Sequence, residues 1–328
     1  MTNNNNRPLF EQPVLMLGSL NAHIDDRTLR KSDLISAQLF ENNSVTPLHY
    51  FNGWGESGLS SIDWIPEQAN IFYITTGSDL IKLDLVKKTK EELPIDKIKD
   101  IHEIKFVDRT LWLSNTGYDE AIAYDVDKKI VIERISLSQF RTNSIKLKEN
   151  VVTVDKFHCN QIFQGYDNQI YALVHHAYGK QLLKRVAKKI LKLQGDGGII
   201  NLRTGQSYNL KLSAPHNVRK VSGDYWVFSS GDSKIKLFDQ NWEHLKTLPA
   251  SGWARGADLD ANKLFCGISA PRKRYLEKMN DNSNKNNLIE VFDVKNHIQI
   301  GNVTVQNVEQ INNLYLLSHE QLNLLKAL

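Results

Sequence analysis

Ile289–Asp293 (IEVFD) is an apolar run that ends in an acidic residue, and the same pattern recurs at Ile81–Asp84, Ile122–Asp125 and Ile235–Asp239. Asp84 and Asp125, which end the first two of these runs along the chain, lie 41 residues apart, a period typical of propeller blades. About a dozen residues before each run lies a second β-rich strand, of which Ile170–Val174 (IYALV) is a fifth copy. Another strand and a tight polar turn precede this second strand. Each unit then reads as four strands joined by turns, which predicts one blade of a β-propeller.

Five blades fit between about residues 58 and 305, and sequence remains at both ends. We expect these ends to form a composite sixth blade from a C-terminal segment at 308–317 and N-terminal segments at 14–17, 34–40 and 45–50, because pairing them removes exposed strand edges. Both ends offer a second strand, so the division between them stays open. The predicted fold is all-β: a six-bladed β-propeller in one domain over 1–328, with a disordered N-terminus at 1–12.

The composition is that of an ordinary water-soluble protein. Of 328 residues, 41% are hydrophobic and 24% are charged. Two cysteines, Cys159 and Cys266, are too few for a disulfide framework. Neither a secretory signal nor a long apolar segment is recognisable, so the expected location is the cytoplasm. A net charge of +4 does not favour a nucleic-acid partner.

One register places polar residues at the start of the innermost strands. His102, His216 and Arg255 each lie nine residues before the first apolar residue of the next strand, and His158 takes this place in a blade with a longer turn. Since the inner strands of a propeller all run the same way, their starts meet at one mouth of the central channel. We therefore predict His102, His158, His216 and Arg255 as catalytic residues.

Two interpretations of the histidines stay open. His102, His158 and His216 could bind a divalent metal such as zinc, or act as general acid and base, because imidazole suits both roles. Each could instead hydrogen-bond nearby backbone and line a water-filled channel. Glu103 and Asp63 are weaker candidates, because acidic residues near strand starts are mostly solvated.

Other polar residues at this mouth predict a substrate site. Arg255 is expected to bind a carboxylate or phosphate, because its guanidinium matches such groups with paired hydrogen bonds. The second strand of each blade runs antiparallel to the first, so its end lies at the mouth where the first strand starts. Residues at these starts and ends are further predicted substrate-binding residues: Asn115, Asn160, His175, His176, Asn217 and Ser230.

Insertions at 177–196 and 270–287 interrupt two blades between their second and third strands, so both are expected over the same mouth. The first has six basic and no acidic residues over 180–192, with apolar residues at helical spacing, which predicts a short amphipathic helix. Its lysines could be merely solvated, or 180–193 could contact an anionic membrane surface. We favour a lid that attracts an anionic ligand, with Lys184, Arg185 and Arg272 as substrate-binding residues.

Three motifs resemble those of a family of uncharacterised bacterial β-propeller proteins: Asp155–Asn160 (DKFHCN), Ala214–Arg219 (APHNVR) and Gly252–Gly256 (GWARG). The similarity covers most of residues 55–305. Gln161 stands where that family has Gly, and Asn217-Val218 replaces its Ser-Pro. The resemblance implies a six-bladed propeller and no particular reaction. The pattern is also remotely similar to six-bladed lyases and lactonases that hold a metal at the channel mouth, which is an analogy of fold.

The leading functional hypothesis from sequence is a metal-assisted lyase, hydrolase or isomerase that acts on an anionic small molecule or saccharide. The alternative is a propeller that binds a ligand or a protein without catalysis, with peripheral membrane contact through 180–193.

Overall fold

The computed structural model describes residues 12–19, 36–55, 58–140, 156–179, 195–269, 287–306, 308 and 310–328. Within these ranges, 24 strands form six four-stranded antiparallel sheets. The sheets are the blades of a six-bladed β-propeller, as the repeat predicts. None of the helices described in these ranges is long and apolar enough to cross a membrane.

Five blades are continuous in sequence and are numbered in chain order. Their strands are, for blade 1, β4 Ser61–Asp63, β5 Ile71–Thr75, β6 Leu80–Asp84 and β7 Thr89–Leu93; for blade 2, β8 Ile101–Val107, β9 Thr110–Asn115, β10 Glu120–Asp125 and β11 Ile130–Ser136; for blade 3, β12 Cys159–Gln164, β13 Ile170–Val174, β14 Gly197–Asn201 and β15 Ser207–Leu212; for blade 4, β16 Pro215–Val221, β17 Asp224–Ser229, β18 Lys234–Phe238 and β19 His244–Pro249; and for blade 5, β20 Trp253–Asp260, β21 Lys263–Ser269, β22 Leu288–Asp293 and β23 Ile298–Thr304.

The closing blade takes one strand from the C-terminal segment and three from the N-terminal segment. Its order is β24 (Gln310–Leu316), β1 (Val14–Ser19), β2 (Ser36–Glu41) and β3 (Ser44–Pro47). The two ends therefore share one sheet, as expected. The division that the sequence left open is also resolved: residues 308–317 do not supply two strands, because 310–316 form a single inner strand that pairs with β1 along its length.

Apolar side chains are buried in six clusters, and each cluster lies between two neighbouring blades. Trp226 and Phe228 of blade 4, for example, share a cluster with Leu264 and Cys266 of blade 5. Equivalent clusters occupy the other five boundaries. Each blade therefore buries both of its faces against its neighbours, which explains why the repeated strands are apolar on both faces.

Polar side chains bridge the backbones of neighbouring blades at every boundary. The bridges run, in order around the ring, from Phe106 N to Asp63 Oδ2 (2.6 Å), from Phe157 N and His158 N to Asp119 Oδ1 (3.0 and 3.1 Å), from Val218 N to Gln161 Oε1 (2.6 Å), from Arg219 Nε to Ala257 O (2.8 Å), from Leu316 N to Asp258 Oδ2 (2.9 Å) and from Ile62 N to Tyr315 Oη (2.8 Å). These bonds satisfy backbone groups that no neighbouring strand can reach.

The acidic residue that ends each repeated run closes the turn between the third and fourth strands. Asp239 Oδ1 accepts hydrogen bonds from Asn241 N (2.9 Å) and Glu243 N (2.8 Å). Asp84, Asp125 and Asp293 make the same kind of turn, and Asn201 takes this role in blade 3. A side-chain oxygen that binds backbone N–H groups two to four residues later favours a tight turn.

A helix that sequence analysis did not anticipate follows the last strand. α1 (His319–Lys326) begins with a capping box in which Ser318 and Gln321 each bind the other's backbone N–H. Leu322 and Leu325 pack into the cluster between the closing blade and blade 1. The helix thus covers the boundary at which the ring closes.

Both insertions occur between the second and third strands of their blades, as predicted. The roots of the first are joined by a hydrogen bond from Ala177 N to Asp196 O (2.9 Å). Residues 180–194 and 270–286 lie outside the described ranges, and so do residues 1–11. The predicted helix, the lid residues and the predicted N-terminal disorder therefore stay predictions.

Replacing Asp239 tests whether the acidic residue at the end of each repeated run stabilises the turn that follows. Asp239→Ala removes two hydrogen bonds to turn backbone, and we expect it to lower the free energy of unfolding by about 1–2 kcal/mol. Asp239→Asn should keep most of that stability, because Asn201 makes the equivalent turn in blade 3. Chemical and thermal denaturation of both variants would measure the difference. Equal losses in the two variants would contradict the role given to the turn bonds.

Candidate functional site

A β-bulge interrupts the inner strand of five blades close to one mouth of the channel. The pairing register shifts between Ile101 and Ile104, Cys159 and Gln161, His216 and Val218, and Ala254 and Ala257; in β24 it skips Asn312. A bulge leaves its extra residue out of the ladder and can re-aim the side chain. We call the extra residues the bulge ring: His102, Glu103, Asn160, Asn217, Arg255, Gly256 and Asn312.

Four imidazoles lie side by side across blades 2, 3 and 4, and we call them the histidine arc. Ring centroids are 4.9 Å apart for His102 and His158, 4.3 Å for His158 and His175, and 5.6 Å for His175 and His216. Trp253 of blade 5 continues the arc, 5.8 Å from His216. The structure thus brings together all three histidines that the register predicts, together with His175.

Burial keeps two members of the arc neutral. It lowers the pKa of His102 to about 4, with a smaller contribution from the charges of His158 and Arg255. Asp100 opposes this shift through its charge and through a contact between His102 Nδ1 and Asp100 O (3.1 Å). Burial also lowers the pKa of His175 well below its ordinary value. A neutral imidazole has one donor and one acceptor nitrogen, so these rings can transfer protons or bind polar groups.

Arg255 and Asn312 form the opposite side of the mouth. Arg255 donates a hydrogen bond from NH1 to Asn312 Oδ1, and Asn313 Nδ2 donates to Ser60 O (2.8 Å). Asn312 was missed by sequence analysis, because its inner strand is followed by the helix α1 and its second strand comes from the other end of the chain. The register count therefore could not reach it.

Glu103 is the functional candidate that sequence analysis underrated. Its carboxylate accepts a hydrogen bond from Gln161 Nε2 (2.8 Å) inside the channel. Loss of hydration raises the pKa of Glu103 to about 7, although Arg219 and Lys105 act in the opposite direction. A carboxyl group that titrates near neutrality, next to His102 on the same strand, has the chemistry of a general acid or base.

Other predicted residues have structural contacts at the same mouth. Asn115 is fully buried; its side chain binds Lys99 N (2.9 Å), Lys97 O (3.1 Å) and Glu120 Oε2 (3.1 Å). Ser230 donates to Ala254 O and contacts His216 Nδ1 (2.9 Å), which links blade 4 to blade 5.

His176 contacts Asp196 at 3.0 Å and so joins the two roots of the first insertion. Asn160 donates to Pro215 O and thereby joins blade 3 to blade 4. Both residues thus contribute to the shape of the mouth through contacts within the protein.

The geometry does not support the predicted metal site. Among the described residues, no group of three or more His, Cys, Asp or Glu side chains is arranged so that it could hold a metal ion. His102, His158 and His216 follow one another around the channel wall, with His175 between the last two. The divalent-metal prediction thus has no support from the described side chains.

The comparisons with known proteins support the fold through one solved structure and indicate no activity. A chain of a nidogen/laminin complex matches with a TM-score of 0.55 and 9% identity, over 92% of this chain and 97% of that one. A chain of dihydro-heme d1 dehydrogenase NirN in complex with DHE gives a TM-score of 0.45 and 12% identity, over 88% and 56%. Such low identity shows fold alone, and only the first value carries that argument. A search of curated proteins found no significant match.

A family model covers most of the chain and most of the site. Residues 96–324 match the model described as a domain of unknown function, DUF4915, and this span includes the histidine arc, Glu103, Arg255 and Asn312. The resemblance to an uncharacterised propeller family is therefore confirmed, and the protein belongs to the DUF4915 family.

Proposed function

We propose that the channel mouth is an active site for an anionic small molecule or acidic saccharide, at which general acid–base chemistry of lyase, isomerase or hydrolase type takes place. The observation that carries this proposal is the bulge ring, because it gathers Arg255, His102 and Glu103 at one mouth. Five aligned bulges are not needed to close a propeller, and bulges are frequent next to active sites.

Arg255 supplies the anion-binding group in this proposal. The charge of its guanidinium contributes to the lowered pKa of His102. A carboxylate or phosphate bound to Arg255 would therefore lie at the same mouth as a neutral imidazole. Lys184, Arg185 and Arg272 would add positive charge over the mouth if the insertions form the proposed lid.

Glu103 and the arc supply the proton-transfer groups. Glu103 exchanges a proton near pH 7, and Gln161 orients its carboxyl group through the hydrogen bond to Oε1. The second group is His102, a neutral imidazole that can accept a proton and donate it again. A carboxyl and an imidazole of different proton affinity form the kind of pair that acid–base catalysis uses.

Exchange of substrate hydrogen with solvent tests this chemistry. In D2O, we expect the protein to introduce deuterium into a uronate or sugar phosphate, or to convert it to a product, as followed by NMR. Glu103→Gln should slow this reaction about 100-fold or more, because it removes the titrating group but keeps the size. The exposed Glu67→Gln serves as control and should leave the rate unchanged. Binding of these compounds without exchange or product would favour the non-catalytic alternative.

Elemental analysis tests the metal-assisted version of the hypothesis. A ligand set of His102, His158 and His216 predicts about one equivalent of a transition metal in protein purified without an affinity tag. We expect less than about a tenth of an equivalent, because the described side chains do not form such a set. A full equivalent that is lost in His158→Ala would overturn this expectation and restore the metal-assisted mechanism.

The acid limb of the stability curve tests the neutral state of His102. The unfolded chain binds this proton near the ordinary pKa of 6.5, whereas the folded protein binds it only near 4. Stability from this group is therefore lost as pH falls from about 6.5 towards 4. We expect His102→Asn to flatten that loss relative to the wild type.

Glu103→Gln gives the contrasting curve. The pKa of Glu103 is raised to about 7 in the folded protein, so this group costs stability as pH rises from about 4.5 through 7. Its Gln variant should therefore gain relative stability on the alkaline side. Parallel wild-type and variant curves from denaturant unfolding across pH 4–8 would contradict both assignments.

A further inference from the structure

Three buried polar atoms in blades 3 and 4 have no hydrogen-bond partner within the described part of the chain: Asn160 Oδ1, Asn217 Oδ1 and His175 Nε2. Asn160 is 4% exposed and Asn217 is 3% exposed. Leaving a buried polar atom unbonded is costly, so such atoms are rare and need an explanation.

Contacts between the two blades place these three residues at one part of the mouth. Asn160 Nδ2 donates to Pro215 O, and Asn217 follows Pro215 by two residues. His216 lies between them in sequence, and its ring is 5.6 Å from that of His175. His175 N in turn donates to His158 O (3.2 Å), which precedes Asn160 by two residues. We call these three residues the amide pocket.

The chemistry of the amide pocket selects hydrogen-bond donors. Two of the atoms are amide oxygens, which only accept hydrogen bonds. The third belongs to an imidazole whose low pKa keeps it neutral, so its nitrogen can accept a bond or donate one. An anion would be poorly matched to two acceptor oxygens, whereas hydroxyl groups can donate to the oxygens and also exchange a bond with the imidazole.

The backbone at Asn217 indicates that its orientation is built in. Asn217 has a φ of +54° and is the extra residue of the β16 bulge. Asn tolerates this left-handed conformation better than most residues, which fits its position. The bulge therefore fixes the side chain in a buried place where its oxygen finds no protein donor in the described ranges.

We infer that the amide pocket binds hydroxyl groups of the ligand, so that the substrate class is a polyhydroxylated acid of the sugar-acid type. This inference rests on the proposed anion site, because Arg255 binds the acidic end and the amide pocket binds the hydroxylated part. Acid and hydroxyl groups together define the class; neither group alone does.

Three probes separate the two contributions by calorimetric titration of the full chain. Glucuronate carries a carboxylate and hydroxyl groups, glucose carries hydroxyl groups alone, and cyclohexanecarboxylate carries a carboxylate alone. We expect glucuronate to bind at least about tenfold more tightly than either of the others. Glucose lacks the bonds to the anion site and cyclohexanecarboxylate lacks those to the amide pocket, so each forms one or two hydrogen bonds fewer.

Variants of the amide pocket assign the hydroxyl contribution. His175→Phe keeps an aromatic ring between His158 and His216 and removes the unbonded nitrogen. Asn217→Gly removes the amide and accepts the positive φ. Each should weaken glucuronate binding about three- to tenfold and leave cyclohexanecarboxylate binding unchanged. Because Nε2 of His175 has no partner to lose, His175→Phe should not lower the melting temperature.

Tyr124→Phe is the matched control. Tyr124 Oη is also buried and without a hydrogen-bond partner among the described residues, but it lies on the third strand of blade 2. Its removal should leave glucuronate affinity unchanged, which separates loss of a ligand contact from the general effect of removing a buried polar atom.

The outcomes distinguish this inference from the proposed function. If Arg255→Gln weakens binding of both acids while His175→Phe and Asn217→Gly change neither, the anion site stands and the hydroxyl pocket is wrong. If none of the three probes binds at millimolar concentration, both proposals are overturned. Equal binding of glucuronate and cyclohexanecarboxylate by the wild type would also overturn the inference.

Discussion

The inner strands of a propeller converge on an axis but cannot pair with one another, and this constraint governs the centre of the molecule. Every boundary between blades is bridged by a side chain bound to the backbone of the next inner strand. Asp63, Asp119, Gln161, Asp258 and Tyr315 accept these bonds, and Arg219 donates one. Such bonds link neighbouring inner strands where no β-ladder can form.

Bridges between blades and bulges occur close together near the mouth, and bulges can re-aim polar side chains. Gln161 illustrates this proximity, since it accepts from Val218 N beside the bulge at Asn217 and donates to Glu103.

Sequence was informative where the signal is local. The acidic ends of the repeated runs predicted the blades because each closes a turn within its own hairpin, and the register of His102, His216 and Arg255 followed from that repeat. The capping box of α1 was readable at Ser318 and Gln321 but was overlooked in an all-β pattern. The division of the closing blade was not readable, because Val14–Leu17 and Leu314–Leu317 are both suitable strands.

Sequence was uninformative where the property depends on distant residues. The raised pKa of Glu103 arises from burial in the channel, against the opposing hydrogen bond from Gln161, 58 residues away. Asn115 and Ser230 were predicted to bind ligand, and the sequence did not show the partners across turns and blades to which they bind within the fold. Whether the side-chain oxygens of Asn160 and Asn217 find a hydrogen-bond donor likewise depends on residues of other blades, which the sequence does not place.

The pairing of β24 with β1 has a consequence for the order of events during synthesis. Residues 14–19 emerge from the ribosome early, yet their inner-strand partner at 310–316 comes almost 300 residues later. Until then β1 has an unpaired edge, which is a risk for association with other chains. Asn312 and Asn313 are also absent until that point. The nascent chain therefore holds the inner strands of five blades but not that of the closing blade, and the channel mouth is incomplete. Ring closure thus becomes possible only when the last inner strand has emerged.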